Sequence, residues 1–175
     1  MKIFKFPELR QAHCWDCGAN AIQSVLAYYG VDVCEDIIMK LAGTNRNGTP
    51  ISGVKMVARK YNFDVKSGKM TIDDVKRYID KKIPVILLVQ AWTNKKDVNW
   101  EEDWTDGHYV VAIGYDSKNI YFEDPSAFRR TFLTYQEFQT RWHDVDKKGK
   151  KYINWGMAVL GGKSKHDLSE LEHMD

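Results

Sequence analysis

The sequence predicts an α+β fold in which helices pack on an antiparallel β-sheet. Segments with helical spacing of apolar residues dominate the first 80 of its 175 residues, and short apolar runs typical of strands follow them. The links between these runs are short, which favours antiparallel pairing over helical crossovers. A chain of this length forms one domain and buries enough surface to fold without a disulfide scaffold or a structural metal.

Four segments near the N-terminus have helical patterns. Apolar residues recur at helical spacing from Ala19 to Tyr29, Gly30 is a suitable C-terminal stop, and Asp16 is placed as the N-cap. Thr71 is expected to cap the fourth helix. The predicted helices cover 17–29, 35–41, 52–60 (starting at 52 or 53) and 72–80, and a short strand covers 63–66.

Strands dominate the second half of the chain. They are predicted over 84–90, 108–115, 119–123, 130–133 and 152–160, with one helix over 134–142. A polar loop over 92–104 carries three of the six tryptophans, and 144–151 is a charged turn. Residues from 161 onward are polar and expected to fray. We therefore expect a domain over 1–162 and a polar tail over 163–175.

Composition excludes several classes of protein. Hydrophobic residues make up 43% and charged residues 29% of the chain, which is too apolar for a disordered protein. The formal net charge is +2, without the basic excess of a nucleic-acid-binding protein. The longest apolar run, 83–89, is too short to span a bilayer, and the N-terminus lacks a secretory signal. We expect a cytoplasmic protein that binds no nucleic acid and has no membrane segment.

Cys17 is the first candidate for a reactive side chain. It lies where the first helix is predicted to begin, and the free N–H groups and dipole of a helix N-terminus favour a thiolate. Gly18 keeps the approach to the sulfur open. Many cysteines are only small core residues, so other groups must support this assignment. Gln11 carries an amide that can donate a hydrogen bond to an oxyanion.

His108 and Asp124 are placed to complete a catalytic set. His108 begins an apolar strand, and Asp124 ends the neighbouring strand, before Pro125. If the two strands pair through a turn at 116–119, position 108 faces 126 or 127, and Asp124 lies about 7–10 Å away along the strand. A β-bulge would help Asp124 to reach one ring nitrogen of His108 and fix its tautomer. Cysteine, histidine and aspartate are the groups of a cysteine hydrolase.

Two segments resemble the peptidase C39 family, whose members are papain-like cysteine peptidases. They are best known as the leader-peptidase domains of bacteriocin-exporting ABC transporters. The resemblance covers roughly residues 8–160. The segments that carry it are Gln11-Ala-His-Cys-Trp-Asp-Cys-Gly-Ala-Asn-Ala with the helix to Tyr28-Tyr29-Gly30, and Asp106-Gly-His-Tyr-Val-Val-Ala-Ile-Gly-Tyr-Asp116 followed by Tyr121-Phe-Glu-Asp-Pro125.

The resemblance implies a papain-like fold and a peptidase that processes peptide or protein substrates, of which a bacteriocin leader is one candidate. It implies Cys17 as nucleophile, His108 as general base, Asp124 as orienting carboxylate and Gln11 as oxyanion donor. We expect no cofactor and no metal. The exporters continue into transmembrane helices and an ATPase, so this sequence is more similar to a stand-alone C39-like protein.

Other functions remain open at this stage. Cys14 and Cys17 form a C-x-x-C pattern that is found in thioredoxin-like redox pairs, and a disulfide between them would switch the nucleophile off. A metal site that includes His13 and Cys34 is disfavoured because no second ligand pair follows. A catalytically silent peptide-binding module would use the same cleft. A transamidase would use the same thiol with an amine in place of water.

Overall fold

Helices are the main regular structure of the first 80 residues, and strands are the main regular structure of the described residues after them. The computed structural model describes residues 1–166. In this range the helices are α1 (Cys17–Tyr28), α2 (Glu35–Ala42), α3 (Ile51–Lys60), α4 (Ile72–Asp80) and α5 (Tyr135–Arg141). The strands are β1 (Lys2–Ile3), β2 (Asp64–Lys69), β3 (Val85–Gln90), β4 (Gly107–Tyr115), β5 (Asn119–Glu123), β6 (Thr131–Thr134), β7 (His143–Val145), β8 (Lys151–Ile153) and β9 (Trp155–Leu160).

One antiparallel sheet forms the centre of the molecule. Its strands lie in the order β2-β9-β3-β4-β5-β6, and β1 pairs with the far end of β4. Each of these pairings is antiparallel. Strands β3 and β4 lie in the middle, and their apolar residues are buried on both faces, as their continuous apolar sequences predict. The predicted α+β fold with an antiparallel sheet is confirmed.

Helix α1 packs against β4 and carries the most buried helical face. Ala19, Ile22, Val25 and Leu26 are fully buried there, which is the apolar stripe that the helical spacing predicts. The helix ends as predicted next to Gly30, which adopts a left-handed conformation with φ 79°. Because α1 is fixed along its whole length, its first residue is held at one place over the sheet.

The predicted helix caps differ in their outcome. Thr71 caps α4 through a full capping box with Asp74, as expected. Asp16 occupies the N-cap position of α1, but its side chain makes no capping hydrogen bond. Its carboxylate turns back instead and accepts hydrogen bonds from the backbone N–H of His13 at 2.9 Å and from the His13 ring at 2.8 Å. The predicted N-cap position of Asp16 is therefore confirmed, but its side chain bonds to His13 instead of capping the helix.

The segment after α5 differs from the sequence prediction. The charged turn expected over 144–151 is a hairpin in which β7 and β8 pair. The long strand expected over 152–160 is interrupted at Asn154, whose left-handed φ of 55° separates β8 from β9. Asn154 donates its N–H to the Trp142 carbonyl, so β8 stays beside β7 while β9 enters the main sheet.

The chain after β9 returns to the end of α1. The backbone N–H of Lys165 donates to the Tyr28 carbonyl at 3.0 Å, so the residues just after 161 are attached rather than frayed. The rest of the predicted tail lies outside the described residues, and the boundary at 162 stays a prediction. Within residues 1–166, every helix is too short or too polar to cross a membrane.

Candidate active site

The site lies where the start of α1 meets β4 and the end of β5. Cys17 is the first residue of α1, His108 is the second residue of β4, and Asp124 directly follows β5. All three are almost completely buried. Three separate elements, each anchored in the core, therefore hold the three side chains.

Gly18 allows α1 to approach β4 this closely. A Cβ atom at Gly18 would lie 2.7 Å from the Thr49 Cβ and 2.9 Å from the ring of Tyr109, which is closer than side-chain atoms can approach. Tyr109 is held in turn, because its hydroxyl donates to the Thr49 carbonyl at 3.0 Å. The glycine after Cys17 is thus required by packing, and the packing places Cys17 beside His108.

A β-bulge brings His108 and Asp124 together. Val111 pairs with Glu123, but the register shifts by one residue between Ala112 and Gly114. This shift moves the position opposite His108 from 127 to 126, which is one residue closer to Asp124. The His108 Nε2 atom lies 2.7 Å from Asp124 Oδ1. The contact and the bulge agree with the hairpin that the sequence predicts.

The ring of His108 links the other two side chains. Because Nε2 faces Asp124, Nδ1 is the nitrogen left for Cys17, whose thiol lies near enough to the His108 ring to raise its pKa. Burial lowers the pKa of His108, but the hydrogen bonds to Asp124 and Cys17 outweigh burial and raise it to about 9. The imidazole is therefore protonated at neutral pH, which is the state that stabilises a neighbouring thiolate.

Asp124 is held by four donors. Oδ1 accepts from His108 and from the Ser126 backbone N–H at 2.8 Å. Oδ2 accepts from the Trp92 indole N–H at 3.0 Å and from the Thr131 hydroxyl at 3.3 Å. Burial raises the pKa of Asp124, but the bond to His108 and the other donors outweigh this and leave the pKa below its ordinary value. The carboxylate stays charged beside the imidazolium.

Gln11 lies next to this group on the loop before α1. Its backbone N–H donates to the Pro125 carbonyl at 3.2 Å, and its Oε1 accepts from the Ser126 hydroxyl at 2.9 Å. Its Nε2 donates to the His13 carbonyl, and its side chain makes no hydrogen bond to Cys17. The structure thus brings Cys17, His108 and Asp124 together and anchors Gln11 beside them, with the second Nε2 hydrogen not used by that bond.

Two glutamates near the site have raised pKa values. Burial raises the pKa of Glu35, and the negative charge of Asp16 raises it further. Burial also raises the pKa of Glu123, the neighbour of Asp124, to about 7, although Arg130 lies 3.8 Å away. The charge of Glu123, next to Asp124, therefore changes near neutral pH.

The structure does not favour the redox and metal hypotheses. Cys14 and Cys34 are exposed, Cys17 is buried, and all three thiols are free. Residues 4–16 separate the two-residue strand β1 from α1, so the strand that a thioredoxin-like motif requires is not there. Within residues 1–166, no three side chains of His, Cys, Asp or Glu converge as metal ligands do.

Sequence reasoning missed three of the groups that hold Asp124. Ser126 and Thr131 act through a backbone N–H and a hydroxyl in a turn, and no pattern marks them. Trp92 belongs to a loop that the sequence identifies as rich in tryptophan. Nothing in the sequence indicates which of its indoles reaches Asp124.

Comparison with known proteins identifies the family. The family model for the peptidase C39 family matches residues 5–145, which is most of the chain. The chain belongs to the peptidase C39 family. The matched range contains Cys17, His108 and Asp124 and ends before β8 and β9, although β9 lies inside the main sheet of this C39 domain.

Individual C39 relatives include a transporter and two solved peptidase domains. The lactococcin-G-processing and transport ATP-binding protein LagD of Lactococcus lactis subsp. lactis is 28% identical over 130 residues, which are 74% of this chain and 17% of that protein. The chain thus spans less than a fifth of that relative's length. The peptidase domain of Streptococcus ComA, a bi-functional ABC transporter in a quorum-sensing pathway, has a TM-score of 0.64 at 23% identity and covers 90% of this chain and 96% of its own.

The second C39 structure contains a bound peptide. It is a double-glycine-motif protease from an AMS/PCAT transporter in complex with the leader peptide. Its TM-score is 0.63 at 21% identity, and the likeness covers 90% of this chain and 92% of that one. These similarities confirm the papain-like α+β fold that the sequence predicts.

Proposed function

We propose that the protein is a cysteine peptidase that hydrolyses a peptide bond through Cys17, His108 and Asp124. The observation that carries the proposal is the buried His108–Asp124 pair, 2.7 Å apart, beside a buried cysteine at a helix N-terminus that raises the pKa of His108. A thiolate nucleophile, an imidazolium and an orienting carboxylate are the groups that acyl transfer requires.

The reaction follows from these positions. The Cys17 sulfur attacks the carbonyl carbon of the substrate, the new C–S bond forms, and the carbonyl oxygen becomes an oxyanion. His108 gives its Nδ1 proton to the leaving amine as the C–N bond breaks, and a thioester remains on Cys17. Water then attacks the thioester while His108 accepts its proton, which releases the acid and restores the thiolate.

The oxyanion needs donors, and two are available in this proposal. The backbone N–H of Cys17 is among the first four N–H groups of α1, which have no partner within the helix. The second donor is the amide of Gln11. Its Nε2 has one hydrogen that the bond to the His13 carbonyl does not use, and the Pro125 and Ser126 contacts keep this side chain beside Asp124. We expect the Gln11 amide to turn toward the substrate carbonyl when a peptide binds.

The substrate that we propose is a peptide with a cleavable leader. Two findings support this choice: LagD is a lactococcin-G-processing protein, and the AMS/PCAT protease was solved with its leader peptide. Trp92 contacts Asp124 and has 59% of its surface exposed. Phe128 follows Asp124 closely in the sequence and is 92% exposed. Both residues offer apolar surface to an extended chain.

Peptide cleavage tests this function directly. The purified protein is incubated with a panel of synthetic leader-containing peptides, and the products are weighed by mass spectrometry. We expect two fragments whose masses sum to the peptide plus one water, and no cleavage by Cys17→Ala or His108→Ala. Full cleavage by Cys17→Ala would overturn the proposal. A product that carries an added amine in place of water would instead establish a transamidase.

A further inference from the structure

Trp92 makes a contact that its position in the chain does not predict. It follows the end of β3, at the start of the tryptophan-rich loop, and its indole N–H donates to Asp124 Oδ2 at 3.0 Å. Its ring is 59% exposed, so burial of the ring does not account for its presence there. An aromatic residue on the surface thus holds a carboxylate that is itself 3% exposed.

The backbone of Trp92 is unfavourable for a bulky residue. Its φ of 60° lies in the left-handed region, where glycine or asparagine is usual and a large side chain is an outlier. Such outliers concentrate at functional sites, where surrounding structure maintains them. In this conformation the indole N–H reaches Asp124 Oδ2.

The Asp124 carboxylate depends on Trp92 for one of its oxygens. Oδ1 is shared by His108 and the Ser126 N–H, whereas Oδ2 has the indole at 3.0 Å and the Thr131 hydroxyl at the longer distance of 3.3 Å. Both oxygens must be held if the carboxylate is not to rotate about its Cβ–Cγ bond. Rotation would take Oδ1 out of line with His108 Nε2.

The loop that carries Trp92 has its own anchors. The Ala91 N–H donates to the Asp106 carbonyl at 3.0 Å, which closes the base of the loop. The Lys95 ammonium lies 2.6 Å from an oxygen of Asp103 and 2.8 Å from an oxygen of Asp106. The loop therefore does not need the bond between Trp92 and Asp124 to keep its shape, and that bond acts on the site.

We propose that Trp92 is a positioning residue for the peptidase reaction, whose indole N–H fixes the Asp124 carboxylate so that Oδ1 orients His108 toward Cys17. This role rests on the proposed function. Trp92 acts through Asp124 and has no part in bond making. It raises the fraction of molecules in which the imidazolium faces the thiolate.

The test compares Trp92→Phe with Trp100→Phe. The first keeps an aromatic ring and removes the N–H. The second removes an indole N–H from the same loop, where the Trp100 ring stacks on the Arg141 guanidinium at 4.0 Å, away from Asp124. The readout is the rate of Cys17 alkylation by iodoacetamide from pH 5 to pH 9, with thermal unfolding measured in parallel.

We expect Trp92→Phe to slow Cys17 labelling at pH 6 by about threefold to tenfold, because a hydrogen bond to a charged group is lost. The midpoint of the increase in Cys17 labelling rate with pH should shift to higher pH by about half a pH unit to one pH unit. Trp100→Phe should leave the rate of Cys17 labelling equal to that of the wild-type protein. Trp92→Gly, which relieves the left-handed backbone, should lose labelling as Trp92→Phe does while unfolding at a similar temperature.

A double substitution identifies the route of the effect. If Trp92 acts through Asp124, adding Trp92→Phe to Asp124→Asn should change labelling by less than about twofold. The proposal would be overturned if Trp92→Phe slowed Cys17 labelling equally in the wild-type protein and in the Asp124→Asn variant. It would also be overturned if Trp92→Phe left the pH dependence of Cys17 labelling unchanged. If His108→Ala does not slow labelling of the unchanged protein, the proposed peptidase function fails instead, so the two failures are distinguishable.

Discussion

Gly18→Ala is the substitution that tests the packing of α1 on β4 most sharply. The added Cβ would lie 2.7 Å from the Thr49 Cβ and 2.9 Å from the Tyr109 ring, so α1 must shift away from the sheet. Overpacking of a well-packed core costs about 1–3 kcal/mol. Alanine recovers about 1 kcal/mol through its helix propensity. The free energy of unfolding should therefore fall by up to about 2 kcal/mol.

The same shift should separate Cys17 from His108. A displacement of about 1 Å at a catalytic group can reduce a rate by about a hundredfold, so we expect at least a tenfold loss of Cys17 labelling at pH 6. Urea unfolding and alkylation with mass spectrometry measure the two effects. Ser52→Ala, on an exposed position of α3, is the control for an alanine in a helix and should change neither. A Gly18→Ala protein of unchanged stability and unchanged labelling would refute this account of the contact.

Three further predictions concern the charged groups of the site and its loop. Because the proposed mechanism requires a protonated His108 as the acid, and its pKa is raised to about 9, kcat/KM should fall as pH rises through about 9. Asp124→Asn removes the hydrogen bond that contributes most to the raised pKa of His108, so the fall in kcat/KM should occur at lower pH. Some cleavage should remain in a peptide assay. Lys95→Met leaves the buried Asp103 carboxylate without its cation, so limited proteolysis should cut the loop between β3 and β4 faster than in the unchanged protein, while cleavage elsewhere stays the same.

Much of the fold was predictable because its main signals are local. The apolar stripe from Ala19 to Leu26 gives α1, and the continuous apolar runs give β3 and β4. The hairpin between β4 and β5 follows from the short link at 116–119, so the approach of Asp124 to His108 could be anticipated with its bulge. These predictions depend on residues that are close together in the sequence.

The errors have different origins: a competing side-chain partner, strands too short to give a pattern, and a contact between distant residues. Asp16 is the N-cap of α1 by position, but its carboxylate bonds to His13 instead of to the first turn of the helix. The hairpin of β7 and β8 was missed because its strands are three residues long and surrounded by charge. The bond from Trp92 to Asp124 joins residues 32 positions apart, and no spacing rule indicates it.

The central claim is that Cys17 is a nucleophile poised by His108, and competition between the three cysteines tests it most directly. The protein is treated with limiting iodoacetamide at pH 6, and the labelled sites are mapped by digestion. An ordinary thiol, with a pKa of about 8.5, is only about 0.3% thiolate at that pH. A thiolate held by an imidazolium is far more populated, and even with its lower intrinsic nucleophilicity it should react about tenfold to a hundredfold faster.

Cys14 and Cys34 are the internal standards, because both are exposed whereas Cys17 is buried. Access alone would therefore make Cys17 the slowest of the three. The account predicts that Cys17 is labelled first and that His108→Ala abolishes this preference. Labelling of Cys17 at or below the rate of Cys14 and Cys34 in the unchanged protein would contradict it.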